Sequence, residues 1–340
     1  MKKVKIPIEK AVGEAIPHDF TRIDPDTGFK GVYFRRGHII KPEDIEKLKS
    51  IGKNYIYKLQ PSPDDIHEDE FAIQVAPLIA GENISYSEHP SEGKISFYAQ
   101  INGLFKVDKK RTVRLNLIEQ TSFPTIHNNF PVKRSQLVAA FRIIPLFASR
   151  RILQKAKEIL KRPLISVKPY IIKSANIIVT GTEVYEGRVK DKFIPKMRRK
   201  LSAYGVSVEK STIVPDDVGM IREAFEKLSN TQLVVVTGGS SVDPDDVTKK
   251  ALKRSGVRFI REGNPIQPAN NLTIGYLGDV TICIVPAGAL FYKTSAFDIF
   301  LPRLLAKDTI TKKEIADYAV GGLCHFCKRC TYPICPFGKV

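Results

Sequence analysis

The stretch that decides the fold is LVVVTGGSSVDPDDVT, residues Leu233 to Thr248. Four apolar residues lead into Thr237-Gly238-Gly239-Ser240-Ser241, a loop in which glycine lets the backbone approach a ligand and turn its N–H groups toward an anion. A helix is predicted over Asp245 to Ser255, and its N-terminus also favours an anion. The pattern indicates a buried strand, a loop and a helix, which is the repeating unit of α/β domains.

Two other apolar stretches end in loops of the same kind. Ile177-Ile178-Val179 leads into Thr180-Gly181-Thr182-Glu183, and Thr281 to Val285 leads into Pro286-Ala287-Gly288. Hydrophobic spacing predicts helices over Asp191–Tyr204, Val218–Leu228 and Ala289–Leu305. Short apolar strands that alternate with helices are typical of an α/β domain whose parallel sheet is covered on both faces. The three loops are then expected to meet at the carboxyl edge of the sheet, where ligands bind in this architecture.

Carboxylates crowd the loop that follows the strand at Leu233. Asp243 suits a helix N-cap, and Asp245 and Asp246 suit the first helical turn. Helix capping accounts for one or two of these acids but does not require three. Three carboxylates beside a loop that would cradle a phosphate would repel that phosphate. A bridging Mg²⁺ would remove that repulsion. Asp216-Asp217 adds two carboxylates at the same edge, with a turn and a helix cap as the alternative interpretation.

The length and charge of the chain fit a protein of several domains with anionic partners. It has 340 residues, with 54 Lys and Arg against 36 Asp and Glu, and a formal net charge of +18. No basic block interleaved with aromatics marks a nucleic-acid site, so nucleic acid is not the expected partner. No apolar stretch is long enough to cross a membrane and no signal sequence is visible, which predicts a cytoplasmic location without membrane association. A surface that is merely solubilising would also explain the charge.

Breaks in the pattern divide the chain into four predicted segments. A small α+β unit occupies 1–60, and a β-rich middle domain occupies 61–173, with short strands that include Arg114–Asn116. The α/β domain covers 174–307. A cysteine-rich tail covers 308–340.

Four of the five cysteines lie in the tail. Cys324, Cys327, Cys330 and Cys335 are separated by two, two and four residues. Such compact spacing in a cytoplasmic protein favours a bound metal over disulfides. The run approaches a bacterial ferredoxin motif with one extra residue in the last gap, and Zn²⁺ held by four thiolates is the equal alternative to an iron–sulfur cluster. Cys283 stands in an apolar run and is expected to be a packed core thiol.

Taken in order, these motifs resemble the molybdopterin-binding domain of molybdopterin molybdenumtransferases, including the gephyrin E domain. The matching positions are Thr180-Gly181-x-Glu183, Gly187-x-x-x-Asp191, Asp216-Asp217 and Thr237-Gly238-Gly239-Ser240-Ser241-Val242-Asp243-x-Asp245-Asp246-x-Thr248. Motifs outside this domain are similar to a prokaryotic subgroup with a C-terminal cysteine tail; they include His18-Asp19, Gly37-His38, Glu92-Gly93-Lys94, Arg142-x-x-Pro145-Leu146 and Gly321-Gly322-Leu323-Cys324.

The resemblance implies a ligand, a cation and roles for individual residues. The ligand would be molybdopterin or adenylylated molybdopterin, with molybdate as the second substrate, Mg²⁺ as the cation and a molybdoenzyme as the recipient. The catalytic acids would be Asp246, Asp191 and Glu183. The cofactor-binding positions would be Thr180, Gly181, Asp216, Asp217, Thr237, Gly238, Gly239, Ser240, Ser241, Asp243, Asp245, Thr248, Pro286 and Gly288.

Two segments depart from the family pattern. A Lys-Pro-Gly-Lys-Pro-like segment is replaced by Ile266-Gln267-Pro268-Ala269-Asn270-Asn271, and a Leu-Pro-Gly-Asn-Pro loop by Val285-Pro286-Ala287-Gly288-Ala289. The missing lysines would supply cations for phosphate or molybdate. The sequence therefore predicts a molybdenumtransferase-like protein of molybdenum cofactor biosynthesis, with a non-catalytic molybdopterin carrier or sensor as the alternative. A nucleotide phosphohydrolase and a nucleic-acid-binding protein are more distant alternatives. Whether the chain forms a homo-oligomer stays open.

Overall fold

The structure is a computed structural model that describes residues 2–60, 62–91, 93–238 and 247–339. The strands within these ranges are β1 (Lys2–Pro7), β2 (Phe20–Asp24), β3 (Phe29–Phe34), β4 (Tyr55–Gln60), β5 (Asp65–His67), β6 (Ile84–Tyr86), β7 (Ile95–Ala99), β8 (Gly103–Val107), β9 (Thr121–Ser122), β10 (Phe130–Val132), β11 (Leu137–Ile143), β12 (Phe147–Ser149), β13 (Ile165–Pro169), β14 (Ser174–Thr180), β15 (Ser207–Val214), β16 (Leu233–Thr237), β17 (Arg258–Arg261), β18 (Thr273–Leu277) and β19 (Val280–Val285).

The helices of the same ranges are short. They are α1 (Asp44–Ser50), α2 (Glu68–Ile79), α3 (Lys109–Asn116), α4 (Arg150–Ile159), α5 (Thr182–Tyr185), α6 (Phe193–Ser202), α7 (Val218–Leu228), α8 (Thr248–Arg254), α9 (Ala296–Leu305) and α10 (Lys312–Asp317). Two 3-10 helices cover Ile8–Lys10 and Ala287–Phe291. In the part of the chain that the structure describes, no helix has the length and apolar character needed to span a bilayer.

The chain folds into two compact units. The first contains Met1–Tyr98, Asp108–Ile126 and Leu137–Ser166; the second contains Ala99–Val107, His127–Gln136 and Val167–Val340. Each unit is therefore assembled from segments that are separated along the chain.

The first unit is built from short antiparallel strands. β1 pairs with β4 and β2 with β3, beside a core that includes Ile8, Ile16 and Leu48. A four-stranded sheet has the order β6-β7-β11-β9, and α2 packs on β11. The strand predicted at Arg114–Asn116 is wrong, because these residues belong to α3. The carboxylate of Asp108 caps that helix by accepting the N–H of Arg111 at 2.9 Å.

The second unit is organised around a six-stranded sheet in the order β15-β14-β16-β19-β18-β17. The first four strands run parallel, as the sequence predicts. β18 and β17 run antiparallel, so the sheet is mixed, and neither strand was predicted. The tight turn Gly278-Asp279 joins β18 to β19 and reverses the chain, which is the reason that this edge departs from the parallel pattern.

Alternate residues of the central strands enter two separate cores. Ile177 and Val179 of β14 pack in one core, and Ile178 packs in the other. Cys283 of β19 is fully buried in the first core, which confirms its prediction as a packed thiol, and burial raises its pKa. Because both faces of the sheet are covered at its centre, β14, β16 and β19 are buried along nearly their whole length, as expected for a parallel sheet, whereas the edge strands β15 and β17 carry exposed polar residues.

The helix predicted over Ala289–Leu305 is interrupted. Ala287–Phe291 forms a 3-10 turn, and α9 begins only after Ser295. Ser295 and Asp298 form a capping box, in which the Asp298 carboxylate accepts the N–H of Ser295 at 2.8 Å. The cap ends the helix here, because the Ser295 side chain accepts the N–H of Asp298 and the N–H of Ala296 donates to the carbonyl oxygen of Pro268 at 3.0 Å.

The segment after α9 completes the core of the second unit. Ile310, Ile315, Tyr318 and Phe337 are buried with the residues of α9. Buried charges reinforce this contact: the Arg303 guanidinium, only 1% exposed, donates to the carboxylates of Asp308 and Glu314. A fragment that ends at residue 307 would therefore lose both core side chains and the partners of a buried cation.

Candidate functional site

Four strand ends meet at one edge of the six-stranded sheet. β15, β14, β16 and β19 are parallel neighbours, so their carboxyl ends lie side by side. The loops that begin there contain most of the predicted site residues. Asp243, Asp245 and Asp246, together with Gly239, Ser240 and Ser241, lie outside the described residues.

Three threonines connect the ends of β14, β16 and α8. The hydroxyl of Thr180 donates to the carbonyl oxygen of Thr237 at 3.2 Å and lies 3.1 Å from the hydroxyl of Thr248. All three side chains are buried. Thr180 and Thr248 thus fix the loop ends, while Thr237 Oγ1 has no hydrogen-bond partner among the described residues.

Gly238 crosses the end of β14 at very short range. Its φ is +93°, and a Cβ at this position would lie 2.1 Å from the carbonyl oxygen of Thr180. Only glycine fits this backbone. The sequence predicts that the backbone approaches a ligand closely here. Among the described residues, Gly238 closely approaches the carbonyl oxygen of Thr180.

Gly288 is different. It follows β19 in the 3-10 turn, it is exposed, and a Cβ built on it would meet no atom within 4 Å. Pro286, which precedes it, is buried. The described protein thus imposes no steric need for glycine at 288, which leaves its exposed backbone open to a ligand.

The acids of the edge mostly cap helices. Asp191 accepts the N–H groups of Phe193 and Ile194 at 2.8 and 3.1 Å at the start of α6. Asp217 accepts the N–H of Met220 at 2.8 Å at the start of α7. This hydrogen bond supports the interpretation of Asp217 as a helix cap.

Asp216 and Glu183 flank the first loop. Asp216 accepts the N–H of Thr182 at 2.9 Å, so it ties the loop after β14 to the end of β15. Gly181 reinforces the same tie, since its N–H donates to the carbonyl oxygen of Val214 at 3.1 Å. Glu183 is exposed, and no hydrogen-bond partner for its carboxylate is found among the described residues. It is the acid of this group with its oxygens still available.

Sequence reasoning missed Lys196, which holds the loop after β19. Its ammonium donates to the carbonyl oxygens of Ala289, Leu290 and Tyr292 at 2.8, 2.6 and 2.6 Å. Burial and the neighbouring Lys200 lower the pKa of Lys196. No sequence motif indicates this clasp, because the carbonyl groups that it binds belong to the backbone.

The segment that lacks the family's lysines contacts the cysteine tail. The N–H of Gln267 donates to the carbonyl oxygen of Gly322 at 2.8 Å, and the N–H of Cys324 donates to that of Gln267 at 2.9 Å. Ile266 is completely buried. Gln267 therefore ties this segment to the tail through two backbone hydrogen bonds.

All four tail cysteines line one cavity of about 550 Å³. Cys324 and Cys335 are half-buried, whereas Cys327 and Cys330 are exposed. The sulfur of Cys324 accepts the N–H of Phe326 at 3.4 Å, and that of Cys330 lies 3.2 Å from the hydroxyl of Thr294. Over the described ranges, no three His, Cys, Asp or Glu side chains are arranged to hold a metal ion.

The fold and its loops define the class of α/β domains whose ligands bind at the carboxyl edge of the sheet. Residues 176–306 match the family model described as "Probable molybdopterin binding domain". This part of the chain is thus similar to a molybdopterin-binding family. Residues 5–60 match a second model, described as a domain of unknown function.

Named relatives match a limited part of the chain. A "CinA-like protein" of Deinococcus radiodurans is 34% identical over 79 residues, which are 23% of this chain and 20% of the relative. A "Protein PAE0875" of Pyrobaculum aerophilum is 36% identical over 86 residues, which are 25% of this chain and 32% of the relative. The chain spans about a fifth to a third of the length of such relatives. Among solved structures, the molybdopterin biosynthesis enzyme MoaB of Thermus thermophilus is 16% identical, with a TM-score of 0.32, and the match covers 40% of this chain and 98% of that one.

Proposed function

We propose that this protein binds molybdopterin at the carboxyl edge of its six-stranded sheet and acts in molybdenum cofactor biosynthesis. The observation that carries the proposal is the match of residues 176–306 to the molybdopterin-binding family. The edge also has features that suit such a ligand. The backbone at Gly288 is open, the carboxylate of Glu183 is available, and the loop between Gly238 and Thr248 starts and ends at fixed positions.

The finer proposal is Mg²⁺-dependent insertion of molybdate into molybdopterin or its adenylylated form. Asp246 would hold the cation, as the family resemblance implies, and Glu183 is the acid at the edge that is free to assist it. Asp191, Asp216 and Asp217 would act mainly by fixing the loops, because each already accepts backbone N–H groups. A molybdoenzyme would then receive the finished cofactor.

A carrier or sensor of molybdopterin is the second candidate. It is favoured by the segment Ile266–Asn271, which lacks lysine and is hydrogen-bonded to the tail through Gln267. A carrier needs to bind the pterin but does not need the cations that would assist insertion. The two candidates therefore share a binding site and differ in chemistry.

The tail is proposed to bind metal through Cys324, Cys327, Cys330 and Cys335. Their common cavity and the N–H donated to the Cys324 sulfur support this, since such donors stabilise a thiolate. An iron–sulfur cluster and Zn²⁺ are the two alternatives for the bound metal. Elemental analysis of protein purified without oxygen distinguishes several irons from one zinc per chain, and four titratable thiols without metal would contradict the proposal.

The central experiment combines binding and insertion on the same samples of full-length protein. Molybdopterin is titrated calorimetrically, and molybdate insertion is then measured with and without Mg²⁺. Binding with insertion supports the enzyme, and binding without insertion supports the carrier. Absence of binding would contradict both.

Two substitutions test the site itself. Gly288→Ala should leave the melting temperature unchanged, because the new methyl group meets no atom of the described protein, yet weaken pterin binding by about tenfold through contact with the ligand. Asp246→Asn should reduce insertion by roughly tenfold or more, as loss of a cation ligand in the transition state would. Asp279→Asn is the matched control, since it removes the same charge at the amino end of β19.

A further inference from the structure

The first unit contains a polar cavity of about 790 Å³. Its wall is formed by residues 18–25, by the end of α1 and the residues after it, by Glu68 at the start of α2, and by Arg142 of β11. Several of these residues belong to the motifs that lie outside the α/β domain. His18-Asp19 and Arg142 line the cavity, and Gly93 packs against Glu68.

Glu68 is buried in this wall. Its side chain is only 7% exposed, and its N–H donates to the carbonyl oxygen of Leu146 at 2.9 Å. Gly93 has a φ of +69°, which favours glycine, and a Cβ at this position would lie 2.3 Å from Oε2 of Glu68, so the backbone of Gly93 passes close over the carboxylate. Nη2 of Arg142 lies 3.5 Å from the same oxygen. The buried carboxylate therefore positions the guanidinium of Arg142.

Arg142 has hydrogen-bonding capacity left for a ligand. Its side chain is 38% exposed, its Nε donates to the carbonyl oxygen of Ile143 at 3.3 Å, and the contact with Glu68 is longer than an ordinary hydrogen bond. A guanidinium presents further N–H donors in one plane, which suits carboxylate and phosphate oxygens. Within the described ranges these donors have no other partner.

Lys53 adds a second cation. Its ammonium lies 5.1 Å from the centroid of the Phe20 ring, and no carboxylate of the described residues lies within ion-pair distance of it. Two other charged groups of the wall are already engaged. Arg22 pairs with Asp24 at 3.2 Å, and Asp19 accepts the N–H of Arg36 at 2.7 Å. Asp19 and Glu68 keep their negative charges in the wall, and the cations that can face a ligand are Lys53 and Arg142.

We propose that this cavity binds a small molecule through an oxyanion, with Lys53 and Arg142 as its charged partners and Glu68 as the positioning residue for Arg142. The cavity has the size of typical small-molecule sites, which are roughly 300–1,000 Å³, so the oxyanion is one group of a larger ligand. Phosphate and carboxylate groups share the required chemistry. The proposal does not rest on the proposed binding of molybdopterin.

The test uses the full-length protein and two probes, pyrophosphate and citrate, in calorimetric titrations. Lys53→Gln should weaken binding of the preferred probe by about tenfold, because a charge-assisted contact is lost. Lys30→Gln removes the same positive charge at an exposed position outside the cavity, and it should change the affinity by less than about twofold. Arg142→Lys keeps the charge beside Glu68 and should also weaken binding, because lysine cannot replace the planar donors of arginine.

The outcomes separate the sources of the oxyanion. Binding of pyrophosphate alone indicates a phosphate-bearing ligand, and binding of citrate alone indicates a polycarboxylate. The proposal is overturned if neither probe binds. It is also overturned if Lys53→Gln and Lys30→Gln weaken binding equally, since that result reflects general charge attraction, or if neither Lys53→Gln nor Arg142→Lys has any effect.

Discussion

The helix N-termini at the sheet edge are stabilised by contacts between residues that are close in sequence. The C-terminal segment after α9 is stabilised by contacts between residues that are far apart in sequence. Asp191 and Asp217 bind N–H groups that lie two or three residues ahead of them. In the C-terminal segment, Asp308 binds Lys106 and Lys168, which are 202 and 140 residues away. The first kind of contact is written in the local sequence, and the second exists only after the chain has folded.

This difference separates what a motif can specify from what a fold must supply. A helix cap needs an acid at a fixed spacing from the helix, so the loops at the sheet edge can keep their shape with few distant contacts. The tail has little regular structure of its own beyond α10. Its position depends on buried charges, on the Gln267 bridge and on Phe337 in the core.

The largest effect is expected from removing the long-range network. Asp308→Asn should lower the free energy of unfolding by roughly 3–5 kcal/mol, because Arg303 would keep a buried charge without its main partner. Denaturant titration measures the loss. Asp317→Asn breaks an exposed pair with Lys313 and should cost less than about 0.5 kcal/mol. Equal losses in the two variants would show that the buried network is not important for stability.

Acid should erase the advantage of the network. Burial raises the pKa of Asp308, but hydrogen bonds from Lys168 and Lys106 outweigh it and hold the pKa below the unperturbed value of 3.8. A carboxyl group with a depressed pKa contributes stability that is present at neutral pH and is lost as the pH falls through the folded pKa. The difference in unfolding free energy between the natural protein and Asp308→Asn should therefore be constant from about pH 5 to 7 and shrink below about pH 4.

An intermediate effect is expected at the crossing of β14 and β16. Gly238→Ala should cost about 2–4 kcal/mol, because the residue has a positive φ and the new methyl group would overlap the Thr180 carbonyl oxygen. Gly288→Ala is the comparison, with no expected change in stability. If both variants were equally stable, the close approach at Gly238 would be wrong.

Much of the second unit was predictable, for physical reasons that are visible in particular residues. β14, β16 and β19 are apolar on both faces, so their sequences identify buried strands directly. β18 and β17 were missed because Tyr276 and Phe259 are half-buried at the antiparallel edge, where the apolar signal is weak. The break before α9 was missed although Lys293-Thr294-Ser295 interrupts the apolar residues, and Ser295 with Asp298 three positions later has the spacing of a capping box.

The site was predictable to a smaller extent. The small-residue loops indicate the correct edge of the sheet, because parallel topology brings their ends together. Spacing alone could not show that the oxygens of Asp191, Asp216 and Asp217 are occupied by backbone N–H groups. Nor could it show Lys196, whose partners are carbonyl groups more than ninety residues away.

The smallest effect, and the sharpest test of the local side of the comparison, is at Asp217. Asp217→Ala should cost about 1 kcal/mol, because the N–H of Met220 loses its acceptor at the start of α7. Asp217→Asn should cost much less, since asparagine caps helices as well as aspartate does. The two variants also separate capping from a charge-dependent role in the binding of ligand. If Asp217 acts only as a cap, the molybdopterin affinity of Asp217→Asn in the presence of Mg²⁺ should equal that of the natural protein. The affinity of Asp217→Ala should be at most slightly reduced. If the charge itself assists the site, Asp217→Asn should lose affinity although its stability is retained. Calorimetric titration beside denaturant titration of both variants decides between these roles, and loss of affinity in the stable asparagine variant would contradict a purely local function of this acid.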